Sequence, residues 1–345
     1  MCWCRSCWRR RARSRPGTTG PSPASCGAPA WPDPPVPGRL PGGGPGGRTS
    51  PWFDGRVDGR VDEKLLVERV TEAVTRVAAR EILPRWRQLA SHEVTEKTGP
   101  HDLVTVADQE AERHLTAELT ELLPGSVVVG EEAVHEDPAR YAALGREAPV
   151  WIVDPVDGTR PFVRGEAGFC TLVALAHRGE LLGSWTHAPA TGQFAHAWRG
   201  GGAWLDGERL TAGSPEPGAP LRVAHSHPDY TTPDQKRALA ALWTDGVAPR
   251  PCGAAGLEYL AIARGALDAL AFTWELAWDH AAGLLLVEEA GGAQATRDGT
   301  AFRLAGGNAM PFTAARDRPT ADRLLALFRA GRGEDRARPE GPVVG

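Results

Sequence analysis

Residues 151–162 read WIVDPVDGTRPF, an apolar run that delivers two carboxylates, Asp154 and Asp157, into a turn set by Pro155 and Gly158. Two acids at the end of a buried strand are costly unless something positive neutralises them, and a divalent cation with oxygen ligands does so. The backbone carbonyl of Val156 adds a further hard oxygen whatever its side chain is. Asp, Pro and Gly are also common turn formers, so a solvated surface turn is the competing reading of this segment.

Other acids stand at comparable places. Glu131 and Glu132 follow the apolar run SVVVG, Asp279 opens the apolar segment WDHAAGLLLVEEAGG, and Asp108 ends DLVTVAD. Each has an ordinary structural alternative: a first-turn acid for the glutamates and a helix N-cap for Asp279 and Asp108. Acids gathered at several strand ends and helix starts favour a shared metal cluster over independent caps.

The elements that must position these acids follow from periodicity. Leu66, Val70, Ala73, Val74 and Val77 recur at helical spacing until Pro84, which predicts a first amphipathic helix. The stretch HEVTEKTGPHDLVTVAD reads as extended with a turn, and Ala111, Leu115, Leu119 and Leu122 mark a second helix ending before Pro124 and Gly125. SVVVG and VWIVD read as buried strands, and residues 169–210 as mostly sheet with turns such as DGERL. A helix closes at Gly265, another at Gly291 and Gly292, and a last one spans about residues 321–330. Helices and strands interleave without a regular βαβ repeat, which predicts a layered α+β or mixed α/β fold.

Composition narrows the classes. A chain of 345 residues with 41% hydrophobic and 24% charged residues can bury a sizeable core, and a net charge of −4 gives no basic face for nucleic acid. Cys2, Cys4, Cys7 and Cys26 crowd the first stretch and leave only Cys170 and Cys252 further on. That is neither a disulfide framework nor a zinc-finger spacing. No run of about eighteen apolar residues is present, so no membrane span is expected, and the arginines of residues 1–20 lack the apolar stretch of a secretory signal. A cytoplasmic protein is the expectation. Residues 1–60 are rich in Arg, Pro and Gly and are expected to be disordered, either a basic tethering arm or a dispensable extension ahead of the true start. The folded domain is expected over residues 61–331, and residues 332–345 as a frayed tail.

The motifs DLVTVADQEAE, GEE, DPVDGT and WDHAAGLLLVEEAGG, in this order over about residues 61–330, resemble those of the inositol monophosphatase family. That family lies within the lithium-sensitive, metal-dependent phosphatases that include fructose-1,6-bisphosphatase. The resemblance implies a layered α-β-α-β-α sandwich and hydrolysis of a small phosphate monoester, with inositol 1-phosphate the substrate most associated with the family. It implies that Glu131, Asp154 and the Val156 carbonyl bind one Mg2+, and that Asp154, Asp157 and Asp279 bind a second. A third, weaker ion would use Glu131, and Mn2+ would substitute for Mg2+. Thr159 and Asp108 would orient and deprotonate the attacking water, and the amides of Gly158 and Thr159 would cradle the phosphate. Gly253, Ala254 and Ala255 would meet the organic half of the substrate. A homodimer and inhibition by lithium are further implications. Physical reasoning reaches the same chemistry, since two ions about 4 Å apart neutralise a phosphate dianion, provide hydroxide at neutral pH and stabilise the departing alkoxide.

Two departures bear on the substrate. Where inositol-specific members carry a hydroxyl-binding glutamate this chain has Phe272, which accepts no hydrogen bond, and Glu275 replaces it only in a shifted register. Arg160 follows the DGT turn in place of the family's asparagine and either reads a second anionic group or faces solvent. Histidinol phosphate, for which DGTRPFVRG fits a family branch, and adenosine 3′,5′-bisphosphate are alternative substrates. A homologue that binds without catalysis is the alternative of another class.

Overall fold

The computed structural model describes residues 63–99 and 101–334. The extension expected over residues 1–60 and the tail beyond residue 334 lie outside them. In chain order the elements are α1 (Glu63–Val77), β1 (Val94–Gly99), β2 (Asp102–Thr105), α2 (Val106–Leu122), β3 (Val127–Gly130), α3 (Glu131–Glu136), β4 (Val150–Asp157) and α4 (Thr159–Val163). Five strands follow: β5 (Cys170–His177), β6 (Glu180–Ala188), β7 (Gln193–Trp198), β8 (Gly202–Leu205) and β9 (Glu208–Arg209). The remainder comprises β10 (Leu221–His225), α5 (Pro233–Leu239), β11 (Val247–Pro251), α6 (Ala255–Ala263), β12 (Ala269–Phe272), α7 (Ala277–Glu289), β13 (Ala293–Ala295), β14 (Phe312–Ala315) and α8 (Arg318–Glu334). Among the described residues no helix is long and apolar enough to cross a membrane.

Two sheets carry the architecture. A seven-stranded sheet runs β3-β4-β5-β6-β7-β8-β9, parallel between β3 and β4 and antiparallel elsewhere. A five-stranded mixed sheet runs β11-β10-β12-β14-β13. Alternation of side chains assigns each face to its layer. Trp151, Val153, Val173 and Leu175 pack on α1 and α2, while Val150, Ile152, Leu172 and Ala174 join the cluster that contains α6 and α7. In the second sheet Leu270, Phe272, Phe312 and Ala314 turn toward that same cluster, and Val223, Ala269, Ala271 and Ala315 turn toward α5 and α8. The result is five layers, α-β-α-β-α, of the mixed class expected from the sequence. α6 and α7 are buried on both sides, which explains why α7 is apolar nearly all round instead of amphipathic.

The first helix buries Leu66, Val70, Ala73, Val74 and Val77 and gives way to a wider turn over Ala78–Ile82 before Pro84. The extended stretch before the second helix is a hairpin, β1 and β2, and α2 starts at Val106, so the last residues of DLVTVAD are already helical. α8 runs to Glu334, beyond the expected end of the last helix. β10, β11, β12, β13 and β14 have no counterpart among the expected strands. They are short and alanine- or proline-containing, and β12 and β14 are buried on both faces, which erases alternation. β11, with Pro249 and Pro251, lies at a sheet edge, where missing amide donors are tolerated.

Asp268 joins three strands of the second sheet. Its carboxylate accepts from the Arg222 backbone N–H at 2.8 Å, from Arg222 Nε at 3.0 Å and from Arg316 Nη1 at 3.0 Å. Burial disfavours its charge, yet Arg222 and Arg316 hold its pKa below the ordinary aspartate value. A depressed pKa contributes stability above the unfolded-state value near 3.9 and loses it as pH falls through the folded one. Asp268→Asn is therefore expected to cost on the order of 2 kcal/mol at pH 7. The difference from the parent should narrow below about pH 4. Urea unfolding at pH 7 and pH 3 reads both; an equal loss at the two pH values contradicts the charge-based account.

Candidate active site

The carboxyl end of β4 breaks its ladder with β5 between Asp154 and Asp157, and the bulge turns both aspartates toward the layer of α6 and α7. Gly158 then takes φ +89° to start α4, and a Cβ there would stand 2.7 Å from the Gly168 carbonyl oxygen and 2.9 Å from Ala254 Cβ. Glycine is required on both counts. Phe162 and Phe169, both fully buried and 4.9 Å apart edge to face, fix α4 beneath this turn.

Asp279 enters from the first turn of α7. The N-cap of that helix is Leu276, so the capping alternative for Asp279 fails; its Oδ2 accepts instead from Trp274 Nε1 at 2.8 Å. Asp154, Asp157 and Asp279 each place an oxygen within 4.8 Å of the others. Asp154 is 1% exposed, and its Oδ1 has no hydrogen-bond partner. Asp157 is tethered to the start of α6, accepting from Ala255 N at 3.1 Å and Gly256 N at 2.6 Å, and from Cys170 Sγ at 3.4 Å. Burial pushes the Cys170 thiol up, so it stays protonated and donates.

Burial, followed by repulsion from Glu131, Asp157 and Asp279, drives the Asp154 carboxyl well above its ordinary pKa, and Asp279 behaves likewise through burial, Asp157 and Glu131. Burial also lifts Asp157, to about 6, against the pull of the Gly256 and Ala255 amides. A hard divalent cation reverses all three effects, because it supplies the charge that burial has stripped away. An orphaned buried carboxylate oxygen beside two further acids is the donor set that such an ion fits.

Glu131 lies on the same cavity wall but outside that group of three. Its Oε1 accepts from Lys97 Nζ at 2.7 Å, and the same ammonium contacts Glu132 Oε1 at 2.7 Å. Burial works against the charge on Lys97, yet Glu131 and Glu132 raise its pKa above the usual lysine value. α3, which presents Glu131, is held by a residue that sequence reasoning did not single out. Glu112 on α2 accepts from Glu132 N and Ala133 N, both at 2.8 Å. Gly130 makes room for it, since a Cβ there would fall 2.3 Å from the Glu112 carboxyl carbon. The repeated acids of DLVTVADQEAE were the available signal.

Asp108 serves two purposes. It completes the capping box of α2, accepting from Thr105 N at 2.9 Å and Thr105 Oγ1 at 2.5 Å. Its other oxygen accepts from Thr159 Oγ1 at 3.3 Å, and that hydroxyl lies 3.1 Å from the Val156 carbonyl oxygen. Burial raises the Asp108 pKa to about 7, against the Thr105 hydrogen bonds. Thr159 thus links a buried carboxyl to the carbonyl expected to face a metal.

These residues line one cavity of about 1170 Å³, shared by Glu131, Asp154, Val156, Asp157, Gly158, Thr159 and Asp279. Gly253, Ala254 and Ala255 line it too, but the Ala255 amide is committed to Asp157. Phe272 does not reach the cavity; it is fully buried in the core. Glu275 turns away to accept from Asn308 N at 2.8 Å and Asn308 Nδ2 at 2.9 Å. Arg160, at the rim, pairs with Asp229 at 2.6 Å.

Comparison with known proteins identifies the family. The model of the inositol monophosphatase family matches residues 64–330. An inositol-1-monophosphatase of Rhizobium meliloti is 36% identical over 200 residues, covering 56% of this chain and 72% of the relative. The Nus factor SuhB of Pseudomonas aeruginosa is 32% identical over 199 residues, covering 55% and 71%. Among solved structures, a Thermotoga maritima IMPase superimposes with a TM-score of 0.64 at 26% identity, over 79% of this chain and 99% of that one. The chain belongs to the inositol monophosphatase family, whose members are phosphoric monoester hydrolases.

Proposed function

We propose that this chain hydrolyses a small phosphate monoester with Mg2+ as its resident ion, held by Asp154, Asp157 and Asp279, with Glu131 and the Val156 carbonyl completing the shell. The observation that carries the reading is the group of three acids, Asp154 and Asp157 buried and Asp279 partly so, whose oxygens lie within 4.8 Å of one another, Asp154 Oδ1 being without a partner. Bound divalent ions would neutralise the phosphate dianion, lower the pKa of water and stabilise the departing alkoxide. The protein's part is to hold that charge in a water-poor cleft. Gly158 and Thr159 meet the phosphate at the start of α4. Asp108 Oδ1 receives a proton through Thr159 Oγ1, a role for which a buried carboxyl near pKa 7 is suited. Lys97, on the β1–β2 hairpin, balances Glu131 and Glu132.

Relatives named inositol-1-monophosphatase make inositol 1-phosphate the first ester to assay, and histidinol phosphate and adenosine 3′,5′-bisphosphate complete the panel. A binding role without catalysis gains interest from the relative named Nus factor SuhB, but every metal-binding acid expected of the hydrolase is present in the sequence.

Two outcomes are expected. Phosphate release from at least one ester should require Mg2+ or Mn2+, and Asp157→Asn or Asp279→Asn should abolish it while Mg2+ no longer raises the melting temperature. Robust turnover in EDTA, or unchanged turnover in both variants, rules the reading out. Asp108→Asn and Thr159→Ala should each lower kcat by about 10²- to 10⁴-fold, the range of a lost proton-transfer group. Both should keep the Mg2+-dependent rise in melting temperature, and a variant that loses it would place its residue in metal binding instead.

A further inference from the structure

Past the acid cluster, the cavity is walled by aromatic and aliphatic side chains. Trp274, Trp278, Leu276, Leu257 and Ala261 line it, and Leu276 is 43% exposed. Trp274 is the member closest to the chemistry, because its indole N–H reaches Asp279 Oδ2 at 2.8 Å. Its ring is held from behind. Phe272, wholly buried, stacks on it with centroids 4.1 Å apart and planes tilted 30°, and the neutral His280 ring lies 5.2 Å away. His280 Nε2 also contacts the Trp274 carbonyl oxygen at 3.1 Å, which fixes the backbone of the same residue. Burial lowers the His280 pKa to about 3, so this support carries no charge. Trp278 is anchored edge to face on Tyr141 with centroids 5.8 Å apart.

The same wall is poor in acceptors for hydroxyl groups. The elements that carry these rings and aliphatic groups, α6 and the run from Trp274 into α7, bring only Glu258 and Asp279 as acids lining the cavity, and Glu258 is committed to Arg250 at 2.7 and 2.5 Å. Asp229, Asp102 and Glu166 line it from other elements, and Asp229 is committed to Arg160 at 2.6 Å. Glu275 faces Asn308 and does not line it. A polyol placed against indole rings would leave hydroxyls without partners, at a cost for each. A flat unsaturated ring would instead gain apolar burial and a stacked or edge-on contact with rigid aromatic rings.

Resting on the phosphatase reading above, we infer that the preferred substrate is a phosphomonoester whose organic half carries a planar aryl or heteroaryl ring close to the ester oxygen. Trp274 is the residue that selects it. The indole acts through both of its parts: the ring contacts the organic half, and the N–H positions Asp279 while leaving that carboxylate's second oxygen for a metal.

Specificity constants for benzyl phosphate, glycerol 2-phosphate and inositol 1-phosphate, measured on the full chain in Mg2+, test the inference. The parent should favour benzyl phosphate over either polyol ester by about tenfold or more, the factor a single aromatic contact supplies. Trp274→Phe keeps a ring but loses the N–H; it should lower kcat on all three esters by a common factor and keep the preference within about threefold. Trp274→Leu should reduce the preference to about one, through a higher KM for benzyl phosphate. A parent preference for the polyol esters, or a Trp274→Leu variant that retains the ring preference, overturns the inference and leaves the phosphatase reading standing. Hydrolysis of none of the three, nor of histidinol phosphate or adenosine 3′,5′-bisphosphate, with any divalent ion counts against the phosphatase reading itself. Binding of benzylphosphonate and methylphosphonate to the parent, followed by tryptophan fluorescence in Mg2+, decides the point without turnover or variants. Tighter binding of the benzyl compound by about tenfold supports the aromatic wall, and equal affinity refutes it.

Discussion

Three buried or half-buried carboxylates from two separate parts of the chain meet in one cleft, and the surrounding structure is organised around their mutual repulsion. Asp154 and Asp157 arrive on the broken end of β4, and Asp279 on the first turn of α7. In a water-poor interior such charges raise one another's pKa and oppose folding unless donors or cations answer them. The protein supplies donors in graded amounts. Asp157 has two amides and a thiol, Asp279 has one indole N–H, and Asp154 Oδ1 has nothing. The acid left least satisfied is Asp154, which an ion shared among the three would do most to relieve.

The layered fold is what permits this convergence. β4 lies inside the seven-stranded sheet, while α6 and α7 fill the space between the sheets and so reach the end of β4 with their first turns. The start of α6 thereby meets Asp157 through backbone amides, and α7 delivers Asp279 from the other side. α2 contributes from the opposite layer, and α3 from the end of β3. Glu112 fastens the amides at the start of α3, and Lys97 on the small β1–β2 hairpin meets Glu131 and Glu132. The hairpin belongs to neither large sheet, so the lysine that pairs with Glu131 and Glu132 rides on a separate two-stranded element.

Much of the candidate site was readable from the sequence because its acids sit in short contiguous motifs. An acid after a valine run must emerge at a strand end, and DPVDGT must turn, whatever the remainder of the chain does. The seven-stranded sheet was legible for a related reason: residues 169–210 alternate between strand formers and glycine turns. The second sheet was not, because β12 and β14 are alanine-rich strands buried on both faces and β11 carries two prolines. Side-chain commitments were hidden as well. Neither the burial of Phe272 nor the turning of Glu275 toward Asn308 follows from spacing, since both depend on how residues 273–276 pass between β12 and α7.

Asp108 shows why a structural role and a chemical role need not compete. As the third residue of α2 its carboxylate closes a capping box, which fixes one oxygen on Thr105 and would, on its own, account for an aspartate there. That fixation aims the second oxygen at Thr159. The cap also removes the rotamer freedom that a buried base would otherwise lose when it acts, so local helix geometry already provides preorganisation. The same holds for Asp279, where the residue that restrains the carboxylate is also a wall of the substrate cavity. On the proposed reading, a tryptophan in that place couples the geometry of the candidate metal ligand to the shape of the organic half of the substrate. A change of side chain at residue 274 therefore acts on specificity and on the acid cluster together, and the two effects separate only when the ring and its N–H are removed in turn.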